Sequence, residues 1–119
     1  MKKMISLIVS LFLTGCSSTS YQKISAKEAK QMMEQDLVVV IDVREEDEYA
    51  LGHIPGSILI PLKTINQNND QLPHIDQTLL IYCRSGNRSQ KAAKKFVSLG
   101  YDKVYDFGGI IDWPYEIEQ

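Results

Sequence analysis

Hydrophobic and polar positions run along this chain in blocks of two periods, one helical and one extended. Ser25-Ala26-Lys27-Glu28 places glutamate three residues after serine, the capping-box pattern, and Ala29, Met32 and Met33 follow at helical spacing, so a helix is predicted over 26–35. Leu37-Val38-Val39-Val40-Ile41 is an unbroken apolar run, mostly β-branched, as in a strand buried on both faces. Residues 45–51 predict a short acidic helix stopped by Gly52, and 58–60 a short strand closed by Pro61. A helical turn is expected within 63–69, with Asn66 to Asp70 as exposed loop. Residues 78–82 form a second apolar strand, and 89–99 a helix whose apolar contacts come from Ala92, Ala93, Phe96, Val97 and Leu99, with Gly100 as its C-cap. A last strand covers 104–107, and Gly108-Gly109 turns into a short helix over 110–113. Strands alternating with helices predict an α/β fold: a small, mainly parallel sheet flanked by helices. Ligands of such sheets sit at the carboxyl ends of the strands.

A segment of another kind precedes this body. Lys2 and Lys3 lead into an apolar run from Ile5 to Leu13, too short to span a bilayer comfortably, and residues 1–15 read as an export signal. Leu13-Thr14-Gly15-Cys16 resembles the lipobox of bacterial lipoproteins. That resemblance implies cleavage before Cys16, lipidation of Cys16 and an extracytoplasmic, membrane-anchored protein. With Ser17 next in line, the anchor implied is the periplasmic side of the outer membrane in a Gram-negative cell, or the outer face of the plasma membrane in a Gram-positive one. Residues 16–23 then read as a lipidated tether and 24–119 as the single folded domain.

Charge narrows the partners. Residues 1–15 hold two of the 13 basic residues and none of the 15 acidic ones, so the rest carries 11 against 15, a formal −4. That balance excludes a nucleic-acid surface. Cys16 and Cys83 lie in unlike contexts and do not read as a disulfide; with only His53 and His74 beside them, and no paired spacing, they give no metal site.

Within this mildly acidic body one loop is basic. Cys83-Arg84-Ser85-Gly86-Asn87-Arg88-Ser89 joins the second apolar strand to a helix start. A cysteine at a strand end, followed by a short glycine-containing loop and a helix N-terminus, sits where backbone N–H groups and the helix dipole favour negative charge. Such a setting favours the thiolate, the nucleophilic form. Arg84 and Arg88 add positive charge for an anionic substrate, and Gly86 serves the backbone conformation. Cys83 therefore reads as a nucleophile rather than an inert buried thiol. Asp42 and Arg44 read as structural residues that hydrogen-bond loops beside the site, and His53 as part of a tight Gly-His-Ile-Pro-Gly turn. His74 reads as exposed, and Trp113 and the tyrosines as core or rim packing.

Three segments, in order, resemble the rhodanese family. They are Ile41-Asp42-Val43-Arg44 with Glu48-Tyr49 and Gly52-His53-Ile54-Pro55-Gly56-Ser57, the six-residue loop Cys83 to Arg88, and Val104 to Ile110 with Trp113. Ser57 departs from the family's commoner alanine. The small size and export signal most resemble the secreted phage-shock type of rhodanese. The resemblance implies a thiosulfate sulfurtransferase. The Cys83 thiolate takes the outer sulfur of thiosulfate or another sulfane-sulfur donor, and a persulfide on Cys83 passes it to cyanide or a thiol. It implies that the N–H groups from Arg84 to Ser89 (Ser85, Gly86 and Asn87 among them) stabilise the anionic persulfide, that Arg84 and Arg88 attract the doubly charged donor, and that no organic cofactor or metal takes part.

Three rivals stand beside that reading. A phosphatase or arsenate reductase would use a Cys-x5-Arg loop, one residue longer than Cys83 to Arg88, and the sequence offers no clear general acid. A non-catalytic module that binds an anion or a partner would have no need of Cys83. A persulfide carrier would use the same thiol without thiosulfate as its natural donor. A dithiol oxidoreductase is disfavoured, since Cys83 has no resolving partner once Cys16 is acylated.

Overall fold

The computed structural model describes residues 20–119. The export signal, Cys16 and the first part of the tether lie outside the described residues. Five strands, β1 (Gln22–Lys23), β2 (Val39–Asp42), β3 (Ile58–Leu59), β4 (Leu79–Cys83) and β5 (Val104–Gly109), form one sheet in the order β1-β5-β4-β2-β3. Every pairing is parallel. Three helices, α1 (Ala26–Gln35), α2 (Glu46–Leu51) and α3 (Asn87–Ser98), connect the strands, with single 3₁₀ turns at Leu62–Thr64 and Ile110–Asp112.

β4 is the middle strand, and its five residues are all buried. Side chains alternate across a strand, so Leu79, Ile81 and Cys83 face one apolar layer and Leu80 and Tyr82 the other. The first layer is closed by Ala92, Ala93 and Phe96 of α3, the second by Ala29 of α1 with Phe107 and Trp113. An unbroken apolar strand is what a doubly covered sheet requires. α1 begins at the expected capping box: Ser25 Oγ accepts from the Glu28 N–H (3.0 Å) and Glu28 Oε1 accepts from the Ser25 N–H (2.8 Å).

Three expectations are corrected. The tether does not run to residue 23, because Gln22 and Lys23 pair with Tyr105 and Asp106 as edge strand β1. β2 starts two residues later than its apolar run, and Leu37 is 97% exposed beyond the sheet. Gly108 and Gly109 belong to β5 rather than to a turn, because Gly109 stands opposite Cys83 in the ladder.

One buried polar ring lies beneath the site. The Ile54 N–H donates to the Tyr82 hydroxyl (3.1 Å), Tyr82 is paired with Ser57 Oγ (3.1 Å), and Ser57 donates to Ile54 O (2.7 Å). Ser57, the departure from the commoner alanine, thus closes a ring that anchors the 54–57 turn to β4. Tyr82→Phe leaves a buried N–H without its acceptor, and is expected to cost about 1–2 kcal/mol. Thermal unfolding checks this as a fall in Tm of about 5–10 °C; an unchanged Tm would show that the turn holds without the ring.

Candidate active site

Cys83 ends β4 with its side chain 1% exposed, and the chain turns at once through Arg84-Ser85-Gly86 into α3. Gly86 adopts φ +103°, a left-handed conformation that L side chains rarely take, and this brings its N–H to 3.0 Å from Cys83 Sγ. The thiol thus accepts a backbone hydrogen bond at the N-terminus of a 12-residue helix, where the helix dipole favours negative charge.

The loop is braced from its far side by β5 and the turn after it. Arg84 O accepts from the Ile111 N–H (3.2 Å). Ser89, fully buried, donates to Gly86 O (3.1 Å), with Gly108 O at 3.4 Å. Asp106, also buried, accepts from the Gly108 N–H (2.9 Å) and shapes the end of β5. The approach is closest at Gly109, where an added Cβ would stand 2.1 Å from Arg84 O.

The charged residues divide into two groups. Asp42 and Arg44 form a buried pair: Arg44 Nη2 lies 2.6 Å from Asp42 Oδ2, and the Arg44 N–H reaches Asp42 Oδ1 (2.9 Å). Arg44 also donates to Gly52 O (2.7 Å), tying the end of β2 to the end of α2. Burial works against the Arg44 charge, but the Asp42 contacts outweigh it and leave its pKa raised. The His53 ring stacks on Tyr49 (centroids 3.7 Å apart), with Nδ1 2.8 Å from Tyr49 O and the backbone bridged to Glu118. Asp42, Arg44 and His53 are thus tied by hydrogen bonds into the frame around the loop.

The two loop arginines part company. Arg84 is exposed and makes no ion pair among the described residues. Arg88 is gripped by Glu48 of α2 through a two-pronged pair, Nη1–Oε1 2.7 Å and Nη2–Oε2 2.9 Å. Of the two arginines expected to attract the donor, Arg88 has its charge met by Glu48 and Arg84 does not. Glu48 reads in the sequence as part of an acidic helix and of the upstream family segment, with no sign of this partner 40 residues away. The hydrogen bonds from Arg88 hold the Glu48 carboxyl at about 2, against burial, with the Glu45 N–H and the charges of Arg88 and Arg44 assisting. A depressed carboxyl stabilises the fold above its ordinary value of 4.5 and loses that contribution as pH falls towards 2. Glu48→Gln is expected to lower Tm by about 5 °C at neutral pH, allowing for partial solvent screening. Melts at stepped pH check the sign: the gap closes between pH 4.5 and about 2, whereas a gap constant with pH would sink the assignment.

A groove of about 370 Å³ opens beside the loop, lined by Arg84, Glu48, Gly52, Ile111 and Ile117 and by Arg44, whose charge is held by Asp42. A larger cavity between Tyr21 and Val97, about 570 Å³, adjoins no reactive group. A sheltered thiol, the Gly86 N–H donor on it and an open cation at the mouth suit an anionic electrophile that leaves an anion on sulfur.

Residues 25–114 match the family profile of the rhodanese-like domain. The chain belongs to the rhodanese-like family. It is 36% identical over 92 residues to the thiosulfate sulfurtransferase GlpE of Pseudomonas paraeruginosa, covering 77% of this chain and 82% of that one. It is 32% identical over 112 residues to the adenylyltransferase and sulfurtransferase uba4 of Ogataea parapolymorpha, covering 90% of this chain but 28% of that much longer protein. A rhodanese-related protein from Thermoplasma volcanium superposes with a TM-score of 0.72 at 31% identity, over 82% of this chain and 98% of that one. The rhodanese-like fold, its parallel sheet included, is thus the architecture that the strand and helix pattern anticipates.

Proposed function

We propose that this rhodanese-like domain is a thiosulfate sulfurtransferase that works through a persulfide on Cys83. The observation that carries the reading is the Gly86 N–H on Cys83 Sγ at the head of α3, with Arg84 open at the mouth. The name of the Pseudomonas relative supports it. The Cys83 thiolate attacks the outer sulfur of thiosulfate. A Cys83 S–S bond forms, the sulfur–sulfur bond of the donor breaks, and sulfite leaves with its electron pair. Cyanide or a thiolate then attacks the outer sulfur, forming thiocyanate or a new persulfide and restoring the Cys83 thiolate. Both steps balance without an external oxidant, and neither calls for a metal or an organic cofactor. The transferred sulfur stands about 2 Å beyond Sγ, so it moves from the buried floor towards the open mouth, where an acceptor can reach it.

The test supplies the full chain with thiosulfate and cyanide, follows thiocyanate, and weighs the intact protein after thiosulfate alone. Turnover together with one added sulfur atom is expected. Neither product nor adduct from freshly reduced protein would overturn the reading. Anchoring through a lipid on Cys16 is the second part of the proposal and rests on the Leu13–Cys16 pattern. Metabolic labelling with palmitate is expected to mark the wild type and to miss Cys16→Ser; equal labelling of both would remove the anchor.

A further inference from the structure

The Glu48–Arg88 pair has no part in the sulfur-transfer steps, yet it joins the helix that carries Glu48 to the first turn after the Cys83 loop. Glu48 lines the same groove as the unpaired Arg84. Its carboxylate therefore confronts any anion on the way in or out, while it holds the guanidinium of Arg88 on two prongs. Both side chains keep about 30% of their surface, so the pair stands at the mouth rather than in the core. Arg88 is near enough to Cys83 for a charge on the sulfur to favour the cationic guanidinium, after the larger effect of the Glu48 hydrogen bonds.

We propose that Glu48 is a positioning residue that sets how long the site retains divalent oxyanions: by engaging Arg88, it leaves Arg84, among the described residues, as the one free cation at the mouth. The inference rests on the sulfurtransferase reading, in which a dianion enters and another, sulfite, must leave in every cycle. Two free arginines at the mouth would hold both dianions tightly, and a retained sulfite would block the acceptor. One free arginine with a neutral pair beside it draws the donor in and lets the product go. Removing the Glu48 charge has two effects of the same sign. It deletes a repelling anion from the groove and releases a fork-shaped cation suited to oxyanions.

The test uses sulfate, a dianion that carries no transferable sulfur, titrated into the full chain by calorimetry at low ionic strength. Gln is the informative replacement, because its amide oxygen can still accept from the Glu45 N–H that Glu48 Oε1 caps at 3.0 Å. Glu48→Gln is expected to bind sulfate about tenfold tighter, the worth of one charge-assisted hydrogen bond. The gain should shrink as salt is raised. In turnover, the same variant should show a lower KM for thiosulfate and stronger inhibition by sulfite. A second variant, Glu48→Gln with Arg88→Gln, is expected to return sulfate affinity to the wild-type level or below. Equal or weaker sulfate binding by Glu48→Gln would overturn the proposal, as would a gain that survives in the double variant. Sulfate binding needs no turnover, so a wild type that makes no thiocyanate would sink the sulfurtransferase reading and leave this measurement able to decide on its own.

Discussion

Cys83→Ser is expected to abolish thiocyanate formation, by at least about a thousandfold, while the protein still melts in one cooperative transition. A serine hydroxyl in place of the thiol can still accept from the Gly86 N–H, so the loop keeps its contact. It cannot form a persulfide, and at neutral pH it offers no anion for the helix N-terminus to stabilise. The change also exchanges a buried sulfur for a smaller polar atom on the α3 side of the sheet, which should lower Tm by no more than about 5 °C. Paired measurements of turnover and melting separate chemistry from folding. Residual turnover within tenfold of wild type would show that the sulfur is carried elsewhere, and the Cys83 assignment would fall.

Gly109→Ala should do comparable damage from a position that touches no substrate. The added methyl would stand 2.1 Å from Arg84 O, 2.6 Å from Arg84 C and 2.6 Å from Ser85 Cα. All three are backbone atoms of the loop after Cys83, so no rotamer change relieves the overlap. Either β5 moves off β4, breaking the ladder at Cys83–Gly109, or the loop moves and carries the Gly86 N–H away from the thiol. Overpacking of this kind costs about 3 kcal/mol, and a 1 Å displacement of catalytic groups costs about a hundredfold in rate. The expected outcome is a variant with a Tm lower by about 10 °C or more and kcat/KM down by about two orders of magnitude. Near-normal values of both would mean that the loop has slack that the tight approach at Gly109 denies.

What the sequence displays and what it conceals follow from the range of each signal. α1 was legible because its capping box and apolar spacing are local, and the same holds for β4 and the Cys83 loop, where the signature is contiguous. β1 was not, because Gln22 and Lys23 are polar and exposed and form a strand only because the edge of β5 offers partners. The 40-residue span between Glu48 and Arg88 hid their pairing, since charges on two short surface segments read as solvated until the fold sets them together. Gly109 looked like turn punctuation because its constraint comes from Arg84 and Ser85, not from its own dihedrals. Ser57 looked like a neutral exchange for alanine until Tyr82 was seen to share its hydroxyl.

The middle position of β4 has a consequence in time as well as in space. The thiol arrives at residue 83, but the atoms that finish its cradle come from β5 and the turn after it, through Gly109 and the Ile111 N–H on Arg84 O. A chain leaving the ribosome or a translocation channel exposes Cys83 while residues 104–111 are still to come. Parallel pairing across α3 must wait for that non-local strand to dock. Until then the thiol is an ordinary cysteine, open to oxidants and without its anion-stabilising surroundings. Maturation of the Cys83 site is therefore coupled to completion of the C-terminal segment, and a chain that stops short of β5 would carry the thiol without the cradle that surrounds it.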